Sequence, residues 1–89
     1  GHQPMYSQSR RYVIVYNGEI YNHLSLRKCF KKNTIWKGES DTETLLACIE
    51  IFGIKRTLEK ITGMFSFALR DVKNNSLTLA RDRIGEKPL

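Results

Sequence analysis

The sequence has few cysteines and no long apolar run, and each scarcity excludes a class of protein. Only two of its 89 residues are cysteines. Cys29 and Cys48 lack Cys-x-x-Cys spacing and stand far from both histidines, which argues against a disulfide framework or a zinc site. No stretch approaches the ~18 apolar residues that a membrane helix needs, and the first residues lack the apolar segment of a signal peptide. The composition therefore predicts one small domain, cytoplasmic and without a membrane partner.

Acidic residues are also scarce, with nine Asp and Glu against fifteen Lys and Arg, for a net charge of +6. This excess permits a nucleic-acid partner, but the positive charge is spread over three separate segments without a nucleic-acid-binding motif. We therefore predict no specific nucleic-acid partner, only salt-sensitive binding with a Kd of about 10⁻⁴ to 10⁻⁶ M. The alternative function kept open is a small basic binding module without catalysis. Its anionic partner would contact Arg27, Lys28, Lys31 and Lys32.

Hydrophobic periodicity predicts an α+β domain in the order strand, helix, helix, strand, strand. Residues 12–16 are apolar at every position, which indicates a strand buried on both faces and closed by a turn at Asn17-Gly18. Residues 22–32 have helical spacing, with Cys29 on the apolar face. In residues 40–43, Ser-x-x-Glu predicts a capping box that begins a second helix, which also buries Cys48 and ends at Gly53.

Two further strands are predicted near the end of the sequence. Residues 64–69 are apolar on both faces, and residues 77–80 follow after Asn74-Asn75. Because asparagine tolerates a positive φ, this pair predicts a hairpin turn. A short helix over residues 57–61 precedes the hairpin, and the last residues, 82–89, are expected to form a polar linker.

The segment after the first strand offers the chemistry of an oxyanion hole. An asparagine side-chain amide and a glycine backbone N–H that point the same way, as Asn17 and Gly18 could, stabilise negative charge on a carbonyl oxygen. Glu19 adds a carboxylate close by. Asp41, in the first turn of the second helix, is ambiguous, because the helix dipole favours an acidic residue there whether or not it binds a ligand. A plain turn at Asn17-Gly18 and solvated carboxylates at Glu19 and Asp41 are the structural alternatives.

Five collinear motifs resemble the class II glutamine amidotransferase domain of glutamine-hydrolysing asparagine synthetases. They are Gly1-His2-Gln3-Pro4-Met5, Asn17-Gly18-Glu19-Ile20-Tyr21-Asn22, Ser40-Asp41-Thr42-Glu43, Gly63-Met64-Phe65-Ser66-Phe67-Ala68 and Ala80-Arg81-Asp82-Arg83-Ile84-Gly85-Glu86-Lys87-Pro88-Leu89. The resemblance implies an N-terminal-nucleophile hydrolase-type αββα sandwich, with helices outside antiparallel sheets. It also implies that such a domain hydrolyses glutamine to glutamate and supplies ammonia to a synthetase domain.

The resemblance also implies roles for individual residues. Asn17 and Gly18 would form the oxyanion hole, Glu19 would help to hold the substrate backbone, and Asp41 would bind the α-amino group of glutamine. The family's nucleophile is an N-terminal cysteine, whereas residue 1 here is Gly1. The 89 residues are accordingly expected to be one partial domain that is inactive by itself. In this expectation the N-terminal segment and the synthetase domain, with its ATP and Mg, are absent. Uncovered strand edges would then favour self-association.

Overall fold

The computed structural model describes residues 3–82 of the chain. Its strands form one antiparallel sheet in the order β1-β2-β3-β4. The elements in chain order are β1 (Met5–Tyr6), β2 (Tyr12–Ile20), α1 (His23–Leu26), a 3-10 turn (Arg27–Cys29), α2 (Asp41–Phe52), α3 (Ile54–Lys60), β3 (Gly63–Asp71) and β4 (Ser76–Arg81). The predicted α+β fold is confirmed, and β1 is a strand that the sequence did not predict. A second sheet, as in an αββα sandwich, remains a prediction, and most of the expected polar linker lies outside the described residues.

The two central strands bury alternate side chains, so the prediction that residues 12–16 are buried on both faces is wrong. The buried apolar side chains are Tyr12, Ile14, Tyr16 and Ile20 of β2 and Phe65, Phe67 and Leu69 of β3. They form one core with Leu45, Leu46, Cys48 and Ile49 of α2. On the opposite face of the sheet, called here the open face, Val15 is 54% exposed and Met64 is 53% exposed. Among residues 3–82 the helices cover only one face, and the apolar residues of the other face remain exposed.

The predicted turn at Asn17-Gly18 is also wrong, because β2 continues through it to Ile20. Asn17 pairs with Ser66 and Gly18 pairs with Phe65 in an unbroken ladder. A Cβ atom on Gly18 would overlap the Met64 carbonyl oxygen and lie 2.6 Å from the Phe65 Cα. Glycine at residue 18 therefore permits the close approach of two strands, at a φ of +123°, rather than a reversal of the chain.

The first helical segment is shorter than predicted, and Cys29 is exposed rather than part of the core. Phe30 leaves the helical conformation, with φ −96° and ψ 162°. Its ring packs edge-on against Trp36 with centroids 5.1 Å apart. The α-helical geometry ends at Leu26, which is buried, and Cys29 lies in the following 3-10 turn, so the predicted α-helical spacing does not extend to Cys29.

The start of α2 confirms half of the predicted capping box. The Ser40 hydroxyl accepts a hydrogen bond from the Glu43 amide at 3.2 Å. The Glu43 carboxylate, however, accepts from the amides of Lys37 and Gly38, at 2.7 and 3.0 Å, rather than from that of Ser40. It therefore ties the preceding loop to the helix. Gly53 ends the helix as predicted, and no helix in residues 3–82 is long and apolar enough to cross a membrane.

Candidate functional site

Asp41 lies at the start of α2 and reaches the edge of strand β2. One carboxylate oxygen, Oδ2, accepts a hydrogen bond from the Ile20 amide at 2.9 Å and another from the Tyr16 hydroxyl at 2.7 Å. These two donors lie on either side of the segment Asn17–Glu19. The carboxylate is half-buried, so it remains accessible from solvent. The helix start thus places a negative charge beside the motif that follows the predicted strand.

The same edge of β2 presents the backbone N–H of Gly18. In an antiparallel ladder, alternate residues direct both backbone polar groups toward the same neighbouring strand. The Tyr21 amide donates to Thr62 on the β3 side, whereas Tyr16 exchanges two hydrogen bonds, of 2.8 and 2.5 Å, with the side-chain amide of Gln3 on the other side. Gly18 is two positions from both Tyr16 and Ile20 on the strand, so its N–H, like theirs, points away from β3. Within residues 3–82 no strand pairs with the edge at Gly18.

Asn17 and Glu19 project from the open face of the sheet, as their alternation with the buried residues requires. Both side chains are exposed, and neither makes a hydrogen bond within residues 3–82. Asn17 borders a shallow groove of about 560 Å³ on this face. The other lining residues are Val15, Tyr16, Ser66, Phe67, Ala68, Leu79, Ala80 and Arg81. Asp41 does not line this groove, because it approaches the strand edge from the helix side.

The four predicted site residues therefore surround one short stretch of the β2 edge without sharing one face. Gly18 and Ile20 are two residues apart, or about 7 Å along a strand. A ligand lying along this edge would meet the Gly18 N–H at one end and the Asp41 carboxylate at the other. Asn17 precedes Gly18, and its side chain projects from the open face beside the first contact residue. This arrangement suits a small molecule with a carbonyl oxygen at one end and an ammonium at the other.

Arg27 holds the loop that leads to Asp41, and the sequence interpretation missed this role. Its guanidinium donates to the carbonyl oxygens of Gly38 and Ser40, at 2.7 and 3.1 Å, and to the Thr44 hydroxyl at 2.7 Å. The same group lies 4.1 Å from the centroid of the Trp36 ring. The sequence gives Arg27 a role only in the alternative binding module, as one of four basic residues that contact an anionic partner. No sequence signal identified its hydrogen-bond partners, because they lie 11 or more residues away along the chain.

Tyr16 and Gln3 are the other residues that sequence reasoning missed. The sequence places Tyr16 only in a core strand, whereas its hydroxyl donates a hydrogen bond to Asp41. Gln3 stands in the sequence only as part of a motif, whereas its side chain continues the β1–β2 pairing at Tyr16. The only available signal for Tyr16 was the two-residue period of a strand, which places Tyr16 on the same side of the strand as Gly18.

Among residues 3–82, the cysteines and the acidic residues offer no further reactive centre. Cys48 is completely buried, and burial raises the pKa of its thiol to about 11, which disfavours the nucleophilic thiolate. Cys29 is exposed and lies outside the β2 edge. Within residues 3–82, no group of three or more His, Cys, Asp or Glu side chains is arranged to hold a metal ion.

Comparison with known proteins gives the family of this chain. Residues 1–89 match the family described as "Glutamine amidotransferase domain". The chain is 42% identical over 89 residues to "Asparagine synthetase [glutamine-hydrolyzing]" of Sandersonia aurantiaca. It is 38% identical over 89 residues to "Asparagine synthetase B [glutamine-hydrolyzing]" of Escherichia coli (strain K12).

Both alignments cover 100% of this chain but only 17% and 16% of the two relatives. The chain thus spans about one sixth of the length of these curated relatives. The match nevertheless includes every described element and all four predicted site residues. This chain therefore belongs to the glutamine amidotransferase domain family.

Proposed function

We propose that residues 1–89 contribute the oxyanion and α-ammonium sites of a glutaminase domain that hydrolyses glutamine to glutamate and ammonia. The nucleophile in this proposal is an N-terminal cysteine outside residues 1–89, as in the related family. The ammonia would pass to a synthetase domain, to which ATP and Mg would belong. The observation that carries the proposal is the Asp41 carboxylate on the same strand edge as the Gly18 N–H.

The reaction places different demands on the two ends of the substrate. Attack of a cysteine thiolate on the side-chain amide carbon forms a carbon–sulfur bond and an oxyanion. The α-amine of this cysteine takes the proton of the thiol and passes it to the leaving nitrogen, so that collapse of the intermediate expels ammonia. Water then hydrolyses the thioester to glutamate and restores the thiol. The Gly18 N–H and the Asn17 amide are hydrogen-bond donors suited to the oxyanion, where charge develops only during reaction.

Asp41 would bind the α-ammonium group, which carries the same charge throughout the reaction. A carboxylate therefore binds it equally in the ground state and the transition state. In glutamine, four bonds separate the α-nitrogen from the amide carbon, which is compatible with contacts about 7 Å apart along the strand. Glu19, exposed on the open face, would contact the substrate backbone from that side.

The test uses an extended chain, in which a family-type N-terminal segment beginning with cysteine precedes residue 1. Ammonia release from glutamine is measured at several glutamine concentrations. Asn17→Ala should lower kcat by about 10²- to 10³-fold, the usual effect of one lost oxyanion donor. Asp41→Asn should raise KM with little change in kcat, because it removes an interaction common to both states.

Two controls make this test specific. Asn33→Ala changes an exposed asparagine outside the β2 edge and should leave both kinetic constants unchanged. Replacing the N-terminal cysteine with serine should abolish glutamine hydrolysis. A folded extended chain that releases no ammonia would overturn the proposed function. Normal kcat in Asn17→Ala together with normal KM in Asp41→Asn would overturn the assigned roles.

A further inference from the structure

Asp41 receives both of its hydrogen bonds on a single oxygen. The Ile20 amide and the Tyr16 hydroxyl donate to Oδ2, at 2.9 and 2.7 Å. The other oxygen, Oδ1, accepts no hydrogen bond within residues 3–82. A carboxylate held through one oxygen has a restricted orientation, and its second oxygen remains available to an incoming donor. The position of that second oxygen therefore depends on the two donors.

Tyr16 is suited to hold this orientation because its ring is fixed in the core. The residue is 7% exposed, lies on the helix-facing side of β2 and pairs across the sheet with Phe67. Its backbone is held from the other side by both polar groups of the Gln3 side chain. The hydroxyl at the end of a rigid ring therefore has little freedom to follow a moving carboxylate.

The hydroxyl also remains a donor under ordinary conditions. Burial, followed by the hydrogen bond to Asp41, raises the pKa of Tyr16 well above its usual value. A phenol that stays protonated offers one O–H, and Asp41 is the acceptor that it reaches. The Ile20 amide is part of the backbone and is common to any residue there except proline, so the tyrosine hydroxyl is the contribution that depends on side-chain identity.

We propose that Tyr16 is a positioning residue for Asp41 and thereby sets the preference of the site for a substrate with an α-ammonium group. This proposal rests on the proposed glutaminase function. Tyr16 acts through the Asp41 carboxylate and is not required to touch the substrate. Its effect should therefore appear with glutamine and be lost with an analogue that has no ammonium.

The experiment compares glutamine with glutaramate, which is glutamine without its α-amino group, in the extended chain. The readout is the ratio of kcat/KM for glutamine to kcat/KM for glutaramate. Tyr16→Phe keeps the buried ring and removes the hydroxyl, and it should lower this ratio about tenfold by weakening glutamine binding. A general loss of structure would lower both values together and leave the ratio unchanged.

Tyr12→Phe is the matched control. Tyr12 lies on the same strand and the same face, is 5% exposed, and its hydroxyl makes no hydrogen bond within residues 3–82. The control should leave the ratio unchanged. If Tyr16→Phe does not fold, Asp41→Glu tests the same dependence, because it keeps the charge and the tyrosine but displaces the carboxylate from both donors. It should also lower the ratio.

The outcomes separate this inference from the proposed function. An extended chain that hydrolyses glutamine, with a lower ratio in Tyr16→Phe and an unchanged ratio in Tyr12→Phe, supports the positioning role. If the extended chain hydrolyses glutamine and folded Tyr16→Phe keeps the original ratio, the inference is wrong while the glutaminase function stands. An unchanged ratio in Asp41→Glu would also overturn it. A folded extended chain without glutaminase activity would overturn both.

Discussion

Replacing Gly18 with alanine should destabilise the protein through two separable effects. The first is backbone strain, since a φ of +123° is unfavourable for a residue with a Cβ and costs about 1–3 kcal/mol. The second is overlap of the new methyl group with the carbonyl oxygen of Met64 in β3, which costs about another 1–3 kcal/mol. The sum is about 2–6 kcal/mol. This is a large part of the free energy of unfolding expected for 89 residues, about 4–13 kcal/mol at about 0.05–0.15 kcal/mol per residue.

Two other glycines provide matched controls for these effects. Gly53 has a φ of +85° but open space around its Cα, so Gly53→Ala should show the strain alone. Gly38 has neither a crowded Cα nor a positive φ in the range that alanine avoids, so Gly38→Ala should be neutral or slightly stabilising. The order of destabilisation should therefore be Gly18→Ala, Gly53→Ala, Gly38→Ala.

The free energy of unfolding is measured by urea titration followed by far-ultraviolet circular dichroism. The difference between Gly18→Ala and Gly53→Ala gives the cost of forcing a methyl group between β2 and β3. If these two variants had equal stability, the close approach of the strands would contribute nothing to the loss of stability in Gly18→Ala. If Gly18→Ala were as stable as Gly38→Ala, the explanation of why β2 continues through Asn17-Gly18 would be wrong.

Two further predictions concern ionisable side chains. The Arg11 guanidinium, 2.9 and 3.0 Å from the two Asp71 carboxylate oxygens, lowers the pKa of Asp71 from 3.8 to about 2. The ion pair stabilises the folded protein fully above the ordinary pKa of Asp71, and this stabilisation is lost as the pH falls toward 2. The urea midpoint should therefore fall more steeply with decreasing pH in the parent chain than in Asp71→Asn. Equal slopes in the two proteins would refute the pairing. A thiol reagent should modify exposed Cys29 in the folded protein and buried Cys48 only after unfolding; rapid labelling of folded Cys29→Ala would contradict the burial of Cys48.

Several features of the fold followed from local sequence, because they depend on residues close together in the chain. The beginning of α2 at Ser40-Asp41 and its end at Gly53 result from a side-chain cap and a positive φ. The turn before β4 uses Asn75 at a φ of +53°. Hydrophobic periodicity indicated the central strands correctly, although it could not show which of their two apolar faces the helices cover.

The sequence by itself determined the α+β order of elements and, through five motifs in one order, the family to which this chain belongs. Only the tertiary structure decided that Gly18 continues a strand, because the close approach of Met64 and Phe65 involves residues more than 40 positions away. It also decided that Asp41 meets Tyr16 and Ile20, and that Arg27 binds the loop before Asp41. Such contacts depend on how the helices pack against the sheet, and local periodicity carries no information about that packing.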